Sequence, residues 1–204
     1  LYKEGIHHSY TILASQKKAA EAKPEILIKG GRKDQGSRAA YSHTGALVGD
    51  DDVFDAALRQ AGALRVASIE ALFSAAEILS SDIRTQGNRL AIITNGGGAG
   101  VMAADWASER DIILPELSSA TIEKLNKVLP VTWSHHNPID IIGDATPERY
   151  HHVINICLND VAIDAILVIL VPVAMSEPIK VAKQIISDAK EINKPILVCW
   201  MGEK

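Results

Sequence analysis

Arg89-Leu90-Ala91-Ile92-Ile93-Thr94-Asn95-Gly96-Gly97-Gly98-Ala99-Gly100 is the stretch on which the fold turns. A short apolar run reaches a glycine-rich turn, and residues 101–110 then read as helix. An apolar run of this length, bounded by turn residues, is read as a buried strand. A strand that feeds a helix through glycines is half of a βαβ unit, and such units build parallel sheets.

The same alternation extends outward in both directions. Downstream, Ser118 or Ser119 caps a helix at 120–128, and a loop with Pro130, Asn137-Pro138 and Gly143 follows. Pro147 to Leu158 reads as a helix with its proline in the first turn. Ala165 to Val171 is apolar throughout, as in a strand covered on both faces. Residues 177–192 read as helix and Pro195 to Trp200 as strand. Upstream, Ser80 to Asn88 is a polar break without a core pattern, and it marks a domain boundary. Before it come a helix at 7–22, a break at Lys23-Pro24 and a strand at 25–29. A polar, glycine-containing loop is expected from Gly30 to about Ser42. Asp51 or Asp52 is expected to cap the next helix, with Gly62 at its end. Leu64-Arg65-Val66 is a strand, and Ser68 caps a helix over Ile69–Leu79. The reading is two α/β domains, flavodoxin-like with parallel sheets, at residues 1–84 and 87–204.

Composition narrows the classes of function. The chain is 47% hydrophobic and 23% charged, ordinary for a globular protein. A net charge of −4 supplies no basic footprint for nucleic acid. Cys157 and Cys199 both sit among apolar residues and read as buried free thiols of a reducing compartment. No run is long and apolar enough for a membrane span, so a cytoplasmic setting is expected. The abrupt start at Leu1-Tyr2, and the stop just after an apolar run, read as a piece of a longer protein.

Three stretches could carry chemistry. Ser42-His43-Thr44-Gly45-Ala46-Leu47 sets a histidine between a glycine-containing loop and small residues. Neutral imidazole is a nucleophile able to form a covalent intermediate. On the residues alone, a histidine capping a turn explains the stretch as well. Asn95, Gly96, Gly97, Gly98, Ala99 and Gly100 open a helix, where free amides attract phosphate. The Lys-Ser/Thr of a P-loop is missing, and a tight turn packing helix on sheet is the competing explanation. Asn137-Pro138-Ile139-Asp140 and Gly143-Asp144-Ala145-Thr146 form a polar loop in which Asp144 or Thr146 caps the following helix. The doublets His7-His8, His135-His136 and His151-His152 lack metal-ligand spacing and read as surface features, so no metal site is expected.

Taken in order, these stretches resemble the NDP-forming acyl-CoA synthetases, the succinyl-CoA synthetase-like ligases. The resemblance runs through the chain: Tyr2-Lys3-Glu4-Gly5, the Ser42 to Leu47 stretch, Thr94-Asn95-Gly96-Gly97, and Asn137-Pro138-Ile139-Asp140. It implies an α-type ligase region over 1–84 and a β-type ligase domain over 87–204. It implies that His43 accepts a phosphoryl group from an acyl phosphate and delivers it to ADP. Glu4 would orient the imidazole, and the Asn95 to Gly100 turn would hold phosphate. It also implies CoA, a carboxylic acid and ADP or ATP with Mg as substrates, with no covalently bound cofactor. These would be bound mainly by CoA-binding and ATP-grasp domains outside this chain, in an oligomer. A related group fuses such ligase regions to a GNAT acetyltransferase, which is the alternative reading.

Overall fold

The computed structural model describes residues 1–4, 9–45, 48–81, 83–190 and 194–202. The chain divides into two compact units, Leu1–Ile83 and Arg84–Lys204.

In the first unit, strands β1 (Tyr2–Lys3), β2 (Ile26–Lys29) and β3 (Leu64–Val66) pair in parallel in the order β1-β2-β3. Helices α1 (Ser9–Ala22), α2 (Asp34–Thr44), α3 (Asp51–Ala61) and α4 (Ile69–Ser80) connect or follow them. The core is small: Leu27, Leu58 and Ala63, with Phe54 packed on them. Polar groups reinforce it. Arg65 grips Asp51 with one guanidinium nitrogen, at 2.7 and 2.8 Å from the two carboxylate oxygens. Lys29, whose side chain is 2% exposed, bonds the same carboxylate at 3.2 Å. Both cations lie beside the Phe54 ring, at 5.4 and 5.9 Å from its centre.

This network explains one departure from the sequence reading. The α3 cap is Asp50, whose carboxylate accepts from the amides of Asp52 and Val53, while Asp51 is taken up by Arg65 and Lys29. Gly62 ends α3 in the left-handed conformation and Ser68 caps α4, as expected.

A second departure bears on the site. The expected loop from Gly30 to Ser42 is mostly helix α2. One glycine, Gly36, falls inside it, and Arg38-Ala39-Ala40-Tyr41 carry good helix propensity. Asp34 suits the first turn, and Gly45 closes the helix at φ 67°, a conformation that favours glycine.

In the second unit, β4 (Leu90–Thr94), β5 (Ile139–Asp140), β6 (Ala165–Leu170) and β7 (Ile196–Trp200) form a parallel sheet in the order β5-β4-β6-β7. Helices α5 (Gly97–Ser108), α6 (Ser119–Asn126), α7 (Pro147–Leu158) and α8 (Pro178–Asp188) surround it. With β4 as the first strand of this sheet, the order runs 2-1-3-4, the flavodoxin-like winding that reverses direction at β4. Ligands in such sheets collect at the carboxyl ends of the strands at that reversal. The glycine turn leaves β4 there. Trp133, Tyr150, Ile154, Ile166 and Leu170 fill the core with the inner face of β4.

The short strand β5 lies inside the expected loop, and α5 starts at Gly97 rather than residue 101. Cys157 is buried, but Cys199 is exposed. Strand β7 is the edge of its sheet, and Leu197, Val198 and Trp200 are partly open to solvent along with it. Among the described residues, no helix is long and apolar enough to cross a membrane.

Candidate functional site

Two places gather the residues singled out above, one in each unit. In the first, parallel pairing of β1 and β2 brings their carboxyl ends to one edge. Glu4 follows β1 directly, and the chain after β2 runs into α2, whose last turn carries His43. The His43 Nδ1 lies 2.9 Å from Glu4 Oε2. A carboxylate only accepts, so the proton of the neutral ring sits on Nδ1 and the lone pair on Nε2. The His43 side chain is 77% exposed, which leaves the ring accessible, whereas that of Glu4 is 14% exposed. The hydrogen bond to Glu4, then the charge of that carboxylate, raises the His43 pKa above the ordinary imidazole value. The Glu4 carboxyl is held below its usual range, first by His43 and then by Tyr2.

Tyr2 was not singled out in the sequence. Its hydroxyl donates to Glu4 Oε1 at 2.8 Å. The signal was available: residues two apart on an extended segment share a side, and Tyr2 and Glu4 are so spaced. Ala46 and Leu47 of the histidine motif, and the doublet His7-His8, lie outside the described residues.

In the second unit, the glycine turn is more committed to the fold than its sequence suggests. The Asn95 side chain is 5% exposed as a residue and bonds Val171 twice, accepting from its N–H at 2.7 Å and donating to its C=O at 2.8 Å. It therefore ties β4 to the end of β6 and is turned from any ligand at the helix start. The Gly96 amide donates to Thr94 Oγ1 at 3.0 Å, and those of Ala99 and Gly100 donate to the Gly96 carbonyl at 3.0 and 3.2 Å. Of the six residues expected to hold phosphate, Gly97 and Gly98 keep amides without a partner among the described residues. The space beside Gly98 is open, but a Cβ at Gly97 would meet Asp140 Oδ2 at 2.8 Å. A carboxylate therefore already stands at the positive end of α5, held by the Ile142 amide at 2.9 Å on its other oxygen.

The remaining polar motifs are structural. Thr146, not Asp144, caps α7, and Asp144 pairs with Arg149 at 2.5 Å. Asn137 bonds the backbone of Leu90 and Ile92. His135 and His136 are exposed, as is His152, but His151 is drawn 2.7 Å from the buried Asp188. Among the described residues, no group of three His, Cys, Asp or Glu side chains could hold a metal ion.

The chain has the sequence of known ligase domains. Residues 1–79 match the succinyl-CoA ligase like flavodoxin domain, and residues 90–204 match the Ligase-CoA domain. The chain belongs to this CoA-ligase family.

An acetate–CoA ligase [ADP-forming] I of Archaeoglobus fulgidus is 37% identical over 99% of this chain and 28% of its own length. An acetate–CoA ligase [ADP-forming] II subunit alpha of Pyrococcus furiosus is 38% identical over 99% of this chain and 45% of its own. The chain thus spans less than half the length of these relatives. Among solved structures, a dinucleotide forming acetyl-coenzyme A synthetase 1 of Ca. Korarchaeum cryptofilum, in complex with phosphate and ADP, is similar. It superposes with a TM-score of 0.88 at 35% identity, covering 99% of this chain and 44% of that one.

Proposed function

We propose that this chain is part of an ADP-forming acyl-CoA synthetase, in which His43 is the phosphoryl carrier. The overall reaction joins a carboxylic acid to CoA with ATP, giving acyl-CoA, ADP and phosphate. Read toward ATP, phosphate first displaces CoA from acyl-CoA, giving an acyl phosphate. His43 Nε2 attacks the phosphorus of that acyl phosphate. The bond to the acyl oxygen breaks, and the carboxylate leaves. ADP then takes the phosphoryl group from the ring, restoring the neutral imidazole. The observation that carries this reading is the 2.9 Å approach of Glu4 to His43 Nδ1, which leaves Nε2 as the nucleophile. As Nε2 is phosphorylated, the ring becomes cationic, and the adjacent carboxylate stabilises it.

Residues 1–84 serve as the α-type ligase region and 87–204 as the β-type domain in this proposal. The Gly97 and Gly98 amides are the phosphate contacts retained from the glycine turn. CoA, the acid and ADP or ATP with Mg are substrates that bind mainly to parts of the protein outside this chain. An oligomer in the cytoplasm, without nucleic-acid or membrane partners, completes the reading.

The test uses the full-length protein and ATP labelled on its γ-phosphate. Wild type should acquire an acid-labile, base-stable label, and His43→Ala should acquire none. Label of that kind on the alanine variant overturns the assignment.

A further inference from the structure

We infer that Tyr2 is a positioning residue for His43, acting through Glu4. The inference rests on the phosphohistidine reading and adds a residue that this reading does not require.

Glu4 reaches His43 through a side chain with three rotatable bonds, and the imidazole it holds is largely exposed. One hydrogen bond at such a place leaves the carboxylate free to turn about its last torsion. Tyr2 removes that freedom. Its hydroxyl occupies Oε1 at 2.8 Å, so Oε2 is the oxygen presented to His43 Nδ1 at 2.9 Å. A tyrosine has two side-chain torsions and a rigid ring, so it restrains its partner at a small entropic cost. Donation to the carboxylate also raises the hydroxyl's own pKa, and Tyr2 remains a donor.

The arrangement is built from three segments. Tyr2 lies on β1 and Glu4 follows it, one on each side of Lys3, whose carbonyl accepts from the Gly30 amide at 2.8 Å. Gly30 forms the wall of the niche: a Cβ there would stand 2.6 Å from Tyr2 Oη and 3.4 Å from Glu4 Cγ. The absence of a side chain at Gly30 is what lets the hydroxyl reach the carboxylate. The result is a Tyr2–Glu4–His43 relay of orientation, in which no proton leaves Tyr2. Its effect is to fix the imidazole tautomer before phosphoryl transfer.

The experiment compares wild type, Tyr2→Phe and Gly30→Ala in the full-length protein. Tyr2→Phe deletes the hydroxyl, and Gly30→Ala displaces it, so the two reach the same contact from opposite sides. Single-turnover labelling from ATP gives the rate of phosphohistidine formation. Nitrogen-15 NMR of the unphosphorylated protein gives the His43 tautomer. Both variants should form phosphohistidine about three- to tenfold more slowly, the range one lost hydrogen bond produces. Their KM for ATP should be unchanged, and His43 should move from the Nδ1–H form toward a tautomer mixture. Wild-type rates and tautomer in both variants overturn the role of Tyr2 and leave that of His43 standing. A slower rate without a tautomer change also overturns it, because the loss is then only structural. If wild type forms no phosphohistidine, the functional reading falls, and the tautomer measurement still decides whether Tyr2 orients the ring. Should one variant fail to fold, the other decides.

Discussion

Glu4 Oε2 lies 2.9 Å from His43 Nδ1, across 39 positions of sequence. Because Glu4 raises the pKa of His43, the ring stays protonated, and poorly nucleophilic, to a higher pH than a free imidazole. The rate of His43 phosphorylation should therefore rise with pH through a midpoint above about 6.5. Glu4→Gln removes both the hydrogen bond to an anion and its charge, so the midpoint should fall and the rate on the alkaline plateau should drop as orientation is lost. A pH–rate profile of single-turnover phosphorylation checks this, and an unmoved midpoint refutes it.

Asn95 and Val171 provide a test of the second unit that is independent of catalysis. Asn95→Ala leaves both the amide and the carbonyl of Val171 without their side-chain partners. Leaving two such groups unsatisfied costs about 2–6 kcal/mol. Urea denaturation should show the loss in the transition of residues 84–204, and a change below about 0.5 kcal/mol contradicts the cross-link.

Asp51 plays the corresponding role in the first unit. Burial pulls its carboxyl up, but hydrogen bonds from Arg65 and Lys29 outweigh burial and hold it below its usual range. Asp51→Ala leaves the Lys29 ammonium buried without its carboxylate partner, at a cost of about 3–5 kcal/mol. Adding Lys29→Met should recover part of that loss, which a double-mutant cycle would measure.

The two cysteines should behave differently toward a thiol reagent. Burial first, and Asp160 second, push the Cys157 thiol up to about 12, so almost no thiolate exists at neutral pH. Cys199 is exposed on β7. One thiol per folded chain should react promptly, and the second should react at the rate of unfolding. Rapid labelling of Cys157 in the folded chain contradicts the buried assignment.

The elements whose apolar pattern is dense were legible in the sequence. Ala165 to Leu170, Leu90 to Thr94 and Pro147 to Leu158 fall where periodicity and capping put them. Glycine misled the reading in two places. Gly36 made α2 look like loop, although its neighbours favour helix and a Cβ at Gly36 would first meet the Gly31 backbone, at 3.4 Å. Gly97 to Gly100 hid the first turn of α5, where Gly100 lets Thr94 and Pro138 approach closely. Side-chain partnerships were not legible. Nothing in the order of residues says that Asn95 meets Val171, or that Asp51 is claimed by Arg65 and so cannot cap its own helix. His43 stands out in its own stretch, Glu4 only through the resemblance, and the bond from Tyr2 to the second oxygen of Glu4 is visible only in the fold.

If His43 carries a phosphoryl group as proposed, its placement in the last turn of α2 bears on how far its ring can travel. The Gly45 amide closes the turn by donating to the Tyr41 carbonyl at 2.8 Å. Each helical residue advances 1.5 Å, and each extended one about 3.3 Å, so unwinding Tyr41 to Thr44 lengthens the tether by about 7 Å. In the phosphoryl-carrier proposal, the range of the ring is then graduated in residues released from the helix.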